Sequence, residues 1–191
     1  MGGVNEPRRL GPRARALAVG LRLLRHVPRR LFWGAARLVY PTFSVGVVCL
    51  MLDDRLQILL VRSPYNRGWT VPGGFLKRGE QPREAGEREL AEELDASGLR
   101  LAEVGANVRR QRRQIDFIYL ARISGGAAGQ LSSRSAEVEA MEWFSLDELP
   151  DLHPDAARFV DRLRRELTAP NRFDEALSDD ELVQLRNWAE R

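Results

Sequence analysis

Residues 74–96 form a densely charged segment directly after a glycine, and they constrain this chain more than any other stretch. The segment reads GFLKRGEQPREAGERELAEELDA. Because residues three and four apart share one face of a helix, a helix here places Glu89, Glu92 and Glu93 on one stripe. Like charges at that spacing repel, so the arrangement is unfavourable as structure alone. A divalent cation removes the repulsion, and hard cations such as Mg²⁺ take oxygen ligands together with substrate phosphates.

The spacing of these charges resembles the signature of the Nudix hydrolase family, G-x5-E-x7-R-E-U-x-E-E-x-G-U, where U is a bulky aliphatic residue. The matching positions, in register, are Gly74, Glu80, Arg88, Glu89, Leu90, Glu92 and Glu93. The final glycine of the pattern is Asp95 here, and the last aliphatic position is Ala96. Asp tolerates the left-handed conformation that often ends a helix better than most residues do. Both departures therefore concern the helix exit rather than the carboxylates.

The resemblance implies a fold and a reaction. The implied fold is an α/β/α sandwich around a mixed β-sheet, and the implied reaction is hydrolysis of a nucleoside diphosphate linked to another group. The implied cofactor is Mg²⁺, with Mn²⁺ as the alternative. Its predicted ligands are the Gly73 carbonyl and the carboxylates of Glu89, Glu92 and Glu93. We also expect an ion pair between Glu80 and Arg88 to hold the loop against the helix, with Arg88 orienting a carboxylate.

The signature does not fix the general base, although a carboxylate must take the proton of the attacking water. Glu137 lies six residues before Trp143 in AEVEAMEWFSLDEL. This segment resembles the family's loop from which a glutamate reaches the metal site. Glu139 is the neighbouring alternative, and both residues could equally be solvated loop acids. The predicted catalytic residues are therefore Glu89, Glu93, Glu137 and Arg88.

Substrate contacts are predicted from arginines and an aromatic residue near the glycine pair. Arg62, Arg67 and Trp69 are expected to border the pocket, since an aromatic ring can stack on a base and guanidinium groups bind phosphate. Core packing is the alternative for Trp69. An arginine group at positions 109, 110, 112 and 113 either holds substrate phosphates or RNA, or forms a solvated turn. A basic patch binds nucleic acid largely without sequence preference, so no sequence-specific binding is expected.

The substrate subclass stays open, because no subclass motif accompanies the signature. A nucleoside or deoxynucleoside triphosphate is the default prediction. Two rival functions use the same fold. One is a nucleotide-binding or regulatory module, which would usually lose signature acids that this chain keeps. The other is a membrane-surface hydrolase of a lipid-linked diphosphate.

Hydrophobic periodicity and turn residues predict the remaining elements. Strands are expected over residues 42–52, 57–62, 69–72, 100–111, 114–123 and 140–144. Helices are expected over residues 82–94, directly after Ser145, over 155–167, and from Ser178 onward. The last helix should bury Leu182, Leu185 and Trp188. The segment SGGAAGQLSS is predicted to be a flexible connection.

The N-terminal region has its own character, since residues 1–38 contain nine arginines and a single acid in a chain of net charge +3. Residues 14–40 are predicted to form two short amphipathic helices separated at Pro28. They would pack on the domain or on a second subunit as a homodimer, attach peripherally to an anionic membrane, or act as a cleaved targeting peptide. A transmembrane span over residues 31–52 is rejected because Arg37 and Pro41 interrupt it.

These observations divide the chain into three regions. We expect an N-terminal extension over residues 1–40, a Nudix hydrolase domain over 41–169, and a C-terminal helical tail over 170–191. Cys49 is the only cysteine, so no internal disulfide can form. A buried, inert thiol is expected, and the composition fits a reducing, cytoplasmic location. Membrane association through residues 14–40 is the alternative.

Overall fold

The computed structural model describes residues 11, 28, 40–133, 135–167 and 177–189. The chain divides into two compact units, Met1–Thr42 and Phe43–Arg191. The amphipathic helices predicted within residues 14–40 fall outside the described residues. Within the described ranges, no helix is both long enough and apolar enough to cross a membrane. All elements below belong to the second unit.

The second unit mixes strands and helices. Its strands are β1 (Ser44–Leu52), β2 (Ile58–Arg62), β3 (Gly73–Phe75), β4 (Leu101–Arg109), β5 (Gln114–Arg122) and β6 (Ala140–Phe144). Its helices are α1 (Pro82–Leu94), α2 (Gly125–Ala128), α3 (Pro154–Leu167) and α4 (Asp179–Ala189). The elements predicted over residues 42–62, 82–94, 100–123, 140–144 and 155–167 are confirmed to within a few residues at each end.

The strands form one mixed sheet in the order β4-β5-β1-β2-β6, with β3 paired to β1. Strands β1 and β5 are parallel, with Val48 opposite Ile118, whereas the β1–β2, β1–β3, β2–β6 and β4–β5 pairs are antiparallel. β1 lies inside the sheet, which agrees with its nearly continuous apolar sequence, VGVVCLML. The predicted mixed sheet is confirmed.

One face of the sheet packs against α1. Val47, Cys49 and Met51 alternate along β1 and are buried in one cluster with Leu90 and Leu94 of α1. This alternation follows from the two-residue period of a strand, and the four-residue spacing on α1 follows from the helical repeat. Burial raises the pKa of the Cys49 thiol, which confirms the prediction of a buried cysteine that does not ionise readily.

The other face packs against α3 and α4. Leu50 and Leu52 of β1 belong to a cluster with Phe159 and Leu163 of α3 and Leu185 of α4. The sheet therefore lies between α1 on one side and two helices on the other. This arrangement confirms the predicted α/β/α layers.

Helix α4 begins at the predicted cap and buries the predicted residues. The Ser178 hydroxyl accepts from Glu181 N at 3.4 Å, and Ser178 N donates to the Glu181 carboxylate at 2.9 Å. Leu182, Leu185 and Trp188 are buried, and Trp188 Nε1 donates to Leu146 O at 3.0 Å. A helix within the predicted C-terminal tail thus completes the core of the second unit.

Two predicted elements are wrong. The strand expected over residues 69–72 is displaced to Gly73–Phe75, since Thr70 forms only an isolated bridge with Val61. The helix expected after Ser145 is a single turn, in which the Ser145 hydroxyl accepts from Asp147 N at 3.2 Å. A hydrogen bond between a serine hydroxyl and the backbone amide two residues later stabilises a turn as readily as it stabilises the start of a helix.

The connection predicted as flexible over residues 124–133 also differs, because it contains the four-residue helix α2. Ala128 N donates to Ser124 O at 2.7 Å, and Ser132 N donates to Leu94 O at 3.3 Å. The first bond lies within the segment, and the second ties the segment to the end of α1.

Candidate active site

Helix α1 has defined start and stop signals. Pro82 occupies its first turn, and Gln81 N donates to the Glu84 carboxylate at 2.9 Å. At the other end Asp95 adopts the left-handed conformation, with φ 56°. The predicted helix exit through an aspartate is confirmed, so α1 presents its carboxylates from a helix with fixed ends.

Arg88 is the centre of an ion-pair network on α1. Its Nε is 2.7 Å from Glu80 Oε1, and its Nη1 is 2.7 Å from Glu89 Oε1 and 3.1 Å from Glu92 Oε2. Its Nη2 donates to Phe75 O at 3.1 Å, which ties the loop to the helix. Hydrogen bonds from Arg88 and from the Lys77 amide lower the pKa of the Glu80 carboxyl to about 2. The predicted Glu80–Arg88 ion pair is confirmed, and Arg88 also orients the Glu89 carboxylate.

The two glycines before α1 are needed because other parts of the protein lie too close to their backbone to leave room for a side chain. Gly73 has φ 153°, which glycine adopts more readily than other residues, and a Cβ there would overlap the Val47 carbonyl. A Cβ on Gly74 would overlap the Glu89 carboxylate. The backbone of this strand therefore lies directly against the acidic face of α1.

Glu93 lies beside the same backbone. Its carboxylate accepts from Gly73 N at 3.2 Å, and the residue is only 8% exposed. Burial, together with the negative charges of Glu89, Glu137 and Glu92, raises the pKa of Glu93 to about 7 against the opposing Gly73 hydrogen bond. A carboxyl group in this state gains strongly from a nearby cation.

The Gly73 carbonyl also belongs to this end of the site. Cys49 N donates to Pro72 O at 2.9 Å, and Val48 and Gly73 are the next pair along β1 and β3. Since hydrogen-bonded and non-hydrogen-bonded pairs alternate in an antiparallel ladder, Val48 and Gly73 form a non-hydrogen-bonded pair, and the amide and carbonyl of Gly73 point away from β1. Its amide instead binds Glu93, and its carbonyl is left for another partner.

The acidic face of α1 offers oxygen ligands for a metal ion, but its carboxylates are not already gathered into a metal-binding cluster. Among the described residues, no group of three His, Cys, Asp or Glu side chains converges closely enough to hold a metal ion. Arg88 draws Glu89 and Glu92 towards itself, and Lys77 Nζ lies 3.1 Å from Glu92. Ionised carboxylates repel, so a cation is needed to bring them together. Carboxylate and peptide oxygens suit Mg²⁺, and the assignment of Gly73, Glu89, Glu92 and Glu93 as its ligands stays a prediction.

The two candidate general bases differ in their partners. Glu137 is exposed on the loop before β6, and its carboxylate accepts from the Tyr65 hydroxyl at 3.4 Å. Glu139 instead lies 3.6 Å from Arg62 Nε. The charge of Glu137 acts on Glu93, so Glu137 faces the acidic site more directly than Glu139 does. Its catalytic role stays a prediction.

A cavity of about 350 Å³ adjoins these acids. We call it the active-site cavity, and it has two ends of different chemistry. The acidic end is lined by Gly73, Gly74 and Glu93. The arginine end is lined by Arg109, Arg112, Gln114, Asp116, His153 and Asp155. Tyr65 and Phe75 are exposed aromatic residues that also line the cavity.

The predicted substrate contacts lie beside this cavity rather than in its lining. Arg62 and Arg67 are exposed, and the Arg62 guanidinium lies 5.7 Å from the centre of the Trp69 ring. Trp69 meets the Phe144 ring edge-on at 4.9 Å and contacts the core next to α3. The core-packing alternative for Trp69 therefore has direct structural support. The substrate-binding roles of the three residues stay predictions.

Asp116 is a buried residue of the arginine end that sequence reasoning missed. It is 2% exposed, lies 2.9 Å from Arg109 Nη2, and accepts from Gln114 Nε2 at 2.6 Å. A Cβ on Gly46 would lie 2.6 Å from Asp116 Oδ1, so a glycine makes room for this carboxylate. An aspartate within the apolar strand QIDFIYLAR was the available signal, because acids are rarely buried without a partner.

Asp155 was also missed, and it joins the hairpin to α3. It forms an ion pair with Arg109, lies 3.1 Å from Arg112 Nη1 and lies 3.3 Å from Arg158 Nη1. Asp155 N also donates to His153 Nδ1 at 3.3 Å. Arg109 is held between two carboxylates, and this fixes the guanidinium in the cavity wall. The arginine end can therefore offer oriented donors to a ligand.

Comparisons with known proteins agree with this geometry. A family model described as NUDIX domain matches residues 42–163. A putative 8-oxo-dGTP diphosphatase of Bacillus subtilis (strain 168) is 29% identical over 108 residues, which cover 56% of this chain and 70% of that protein. Putative mutator protein MutT4 of Mycobacterium tuberculosis (strain CDC 1551 / Oshkosh) is 29% identical over 167 residues, which cover 80% of this chain and 63% of that protein.

Solved structures show the same fold. The MutT protein from Methanosarcina mazei Go1 has a TM-score of 0.55 at 22% identity, covering 65% of this chain and 95% of that chain. The NUDIX domain of Shewanella oneidensis NrtR, complexed with ADP ribose, has a TM-score of 0.55 at 21% identity, covering 69% and 93%. The signature residues, the layered fold and the matched family model lead to one conclusion. The chain belongs to the Nudix family and is a pyrophosphohydrolase of the Nudix type.

Proposed function

We propose that this protein hydrolyses, with Mg²⁺, a pyrophosphate bond in a nucleoside diphosphate linked to another moiety. The default substrate is a nucleoside or deoxynucleoside triphosphate. The observation that carries the proposal is the buried Glu93 carboxylate, bonded to the Gly73 amide at one end of a cavity of about 350 Å³. A cavity of this size lies at the lower end of the range for small-ligand sites, ~300–1,000 Å³. The similarity to a protein named as an 8-oxo-dGTP diphosphatase supports the nucleotide class.

The metal would be held by the carboxylates of Glu89, Glu92 and Glu93 and by the Gly73 carbonyl. When bound, Mg²⁺ or Mn²⁺ neutralises phosphate charge and lowers the pKa of water. The chain's own residues do the positioning. Arg88 fixes Glu89 at 2.7 Å, and the Gly73 amide fixes Glu93.

Proton removal and substrate capture are assigned to residues around the cavity. Glu137 accepts the proton of the attacking water, as its position near the acidic end allows. Arg62 and Arg67, exposed beside the cavity, attract the anionic substrate through their charge. Trp69 holds Arg62 in place through their stacking contact.

The test is a hydrolysis screen over nucleoside triphosphates, deoxynucleoside triphosphates and ADP-ribose. It detects phosphate or pyrophosphate released from the triphosphates, and AMP with ribose 5-phosphate formed from ADP-ribose. Each substrate is assayed with Mg²⁺, with Mn²⁺ and with EDTA. Glu93→Gln should lower kcat by about 10³-fold, within the range for a lost catalytic carboxylate. Glu87→Gln is the matched control, because Glu87 is exposed on the same helix. Full activity of Glu93→Gln, or activity in EDTA, would overturn the proposal.

The assignment of the base uses a second matched pair in the same assay. Glu137→Gln should lower kcat by about 10²-fold or more, whereas Glu139→Gln should leave kcat near the parent value. Unchanged turnover of Glu137→Gln would remove Glu137 from the mechanism without affecting the metal-site assignment. A loss confined to Glu139→Gln would move the role to that neighbour.

A further inference from the structure

A second concave surface lies next to the active-site cavity. It is a cavity of about 470 Å³ lined by residues 107–112 and Arg158. The turn between β4 and β5 provides most of its wall, and α3 provides the rest. We call this surface the arginine groove. A smaller adjoining cavity, of about 220 Å³, continues it along α3 past Arg162 and Arg165.

The arginine groove is strongly cationic on its inner wall. Arg109, Arg110, Arg112 and Arg158 line the larger cavity, and no acidic residue is among the described residues that line it. Asp155 is the acid that binds three of these arginines. Asp116 is a second partner of Arg109. Two carboxylates cannot neutralise the four guanidinium groups that line the cavity, so a positive excess remains. Such an excess attracts a polyanion.

Buried donors without partners lie at the same place. Asn107 Nδ2 and Arg162 Nε are buried and have no hydrogen-bond partner in the described part of the chain. Asn107 lines both the larger and the smaller cavity. A buried donor left unsatisfied is destabilising, so these groups favour a ligand that brings acceptor oxygens within reach.

The groove is continuous with the active-site cavity. Arg109 and Arg112 line both of them. A substrate whose pyrophosphate reaches the acidic end can therefore continue past Arg112 into the groove. Val108 is 56% exposed and also lines the groove, which places an apolar contact among the cations. Alternating phosphates and flat, partly apolar bases match such a surface.

We propose that the arginine groove binds the phosphodiester chain of a single-stranded oligonucleotide whose 5′ end lies in the active-site cavity. This inference rests on the proposed function, because the 5′ end would carry the pyrophosphate bond. Guanidinium groups bind phosphate through paired hydrogen bonds and also stack on bases, so arginines suit both parts of the strand. The concave shape favours a strand over the flat headgroup layer of a membrane.

The binding test uses the full chain and a fluorescent RNA decamer with a 5′-triphosphate. Arg110→Gln combined with Arg158→Gln should weaken binding about 10-fold at 0.1 M salt. It should also make the negative slope of log K against log salt shallower by about 1.4, since each lost phosphate contact removes ~0.7 from its magnitude. Binding is measured by fluorescence anisotropy over a series of salt concentrations.

The matched control is Arg55→Gln combined with Arg100→Gln. Both residues are exposed, and they lie at the opposite end of the sheet, beside the β1–β2 turn and the start of β4. The control removes the same charge, and the N-terminal arginines stay in every variant. Parent-like decamer binding by the control, with weakened binding by the groove variant, supports the inference. Equal losses in both variants would overturn it, because only general charge would then matter.

Two further arms separate this inference from the proposed function. If the parent hydrolyses nucleoside triphosphates but binds the decamer no better than the groove variant does, the inference fails and the proposed function stands. If the parent binds the decamer through the groove but hydrolyses no nucleotide, the proposed function fails and groove binding stands. Sedimentation with phosphatidylserine vesicles tests a lipid surface. Groove-dependent vesicle binding without decamer binding would overturn the inference.

Discussion

The two ends of the active-site cavity handle charge in opposite ways. At the acidic end, α1 gathers Glu89, Glu92 and Glu93, and burial and mutual repulsion raise the pKa of Glu93 to about 7. At the arginine end, Arg109 is held between Asp116 and Asp155, so each buried charge has an opposite partner. The ionised form of Glu93 is therefore disfavoured at the acidic end, whereas Arg109 offsets the charges of Asp116 and Asp155 at the arginine end. The arrangement at the acidic end suits a catalytic role, and the arrangement at the arginine end suits a stable wall of the cavity.

The contrast between the two ends of the cavity is tested most strongly by replacing Arg109, the cation of the arginine end. Arg109→Gln leaves Asp116, which is 2% exposed, without its cation. We expect the free energy of unfolding to fall by about 3–5 kcal/mol, the usual cost of breaking a buried ion pair. Urea denaturation followed by circular dichroism measures it.

Arg110→Gln is the control for this change, because Arg110 is the exposed neighbour on the same turn. It should alter stability by less than about 0.5 kcal/mol. If both variants unfold at the same urea concentration, the buried pair does not stabilise the wall.

The acidic end is tested next by crowding it without changing its charge. Gly74→Ala adds a Cβ that overlaps the Glu89 carboxylate. We expect kcat to fall by about 10²-fold, since a displacement of about 1 Å in a catalytic group has that effect. Gly126→Ala is the control, because a Cβ at Gly126 meets nothing within 4 Å. Unimpaired Gly74→Ala turnover would show that the position of Glu89 is not critical.

The smallest expected effect concerns pH. The pKa of Glu93 in the folded protein is about 7, above its ordinary value of 4.5. Metal-free protein should therefore lose stability as pH rises from 4.5 towards 7, because the carboxyl ionises in the unfolded chain while the fold keeps it protonated. We expect this loss to be about 1–2 kcal/mol between pH 4.5 and pH 6.

Urea denaturation of the parent and of Glu93→Gln in EDTA, at several pH values, isolates the contribution of Glu93. The difference in unfolding free energy between the two proteins should grow in favour of Glu93→Gln as pH rises. A difference that stays constant with pH would mean that the Glu93 carboxyl is not held in its neutral form by the fold.

Sequence reasoning succeeded where the determining contacts are local. The α1 helix, its exit at Asp95 and the Glu80–Arg88 pair all lie within residues 80–95. Reasoning failed where the competing partner is distant. Trp69 was expected in a strand, but its amide binds Asp151 O at 2.9 Å. Ser145 was expected to cap a helix, yet its hydroxyl supports only a turn.

The sequence alone determined the acidic stripe of α1, because residues three and four positions apart lie on one face of a helix. The contacts of this stripe with Gly73 and Gly74 depend on β3 lying beside α1. The tertiary structure decided the arginine end, since Arg109 and Asp155 are 46 residues apart and meet only when α3 packs beside the β4–β5 hairpin. No local periodicity encodes such a contact. Packing of both apolar faces of the sheet brings these two residues together.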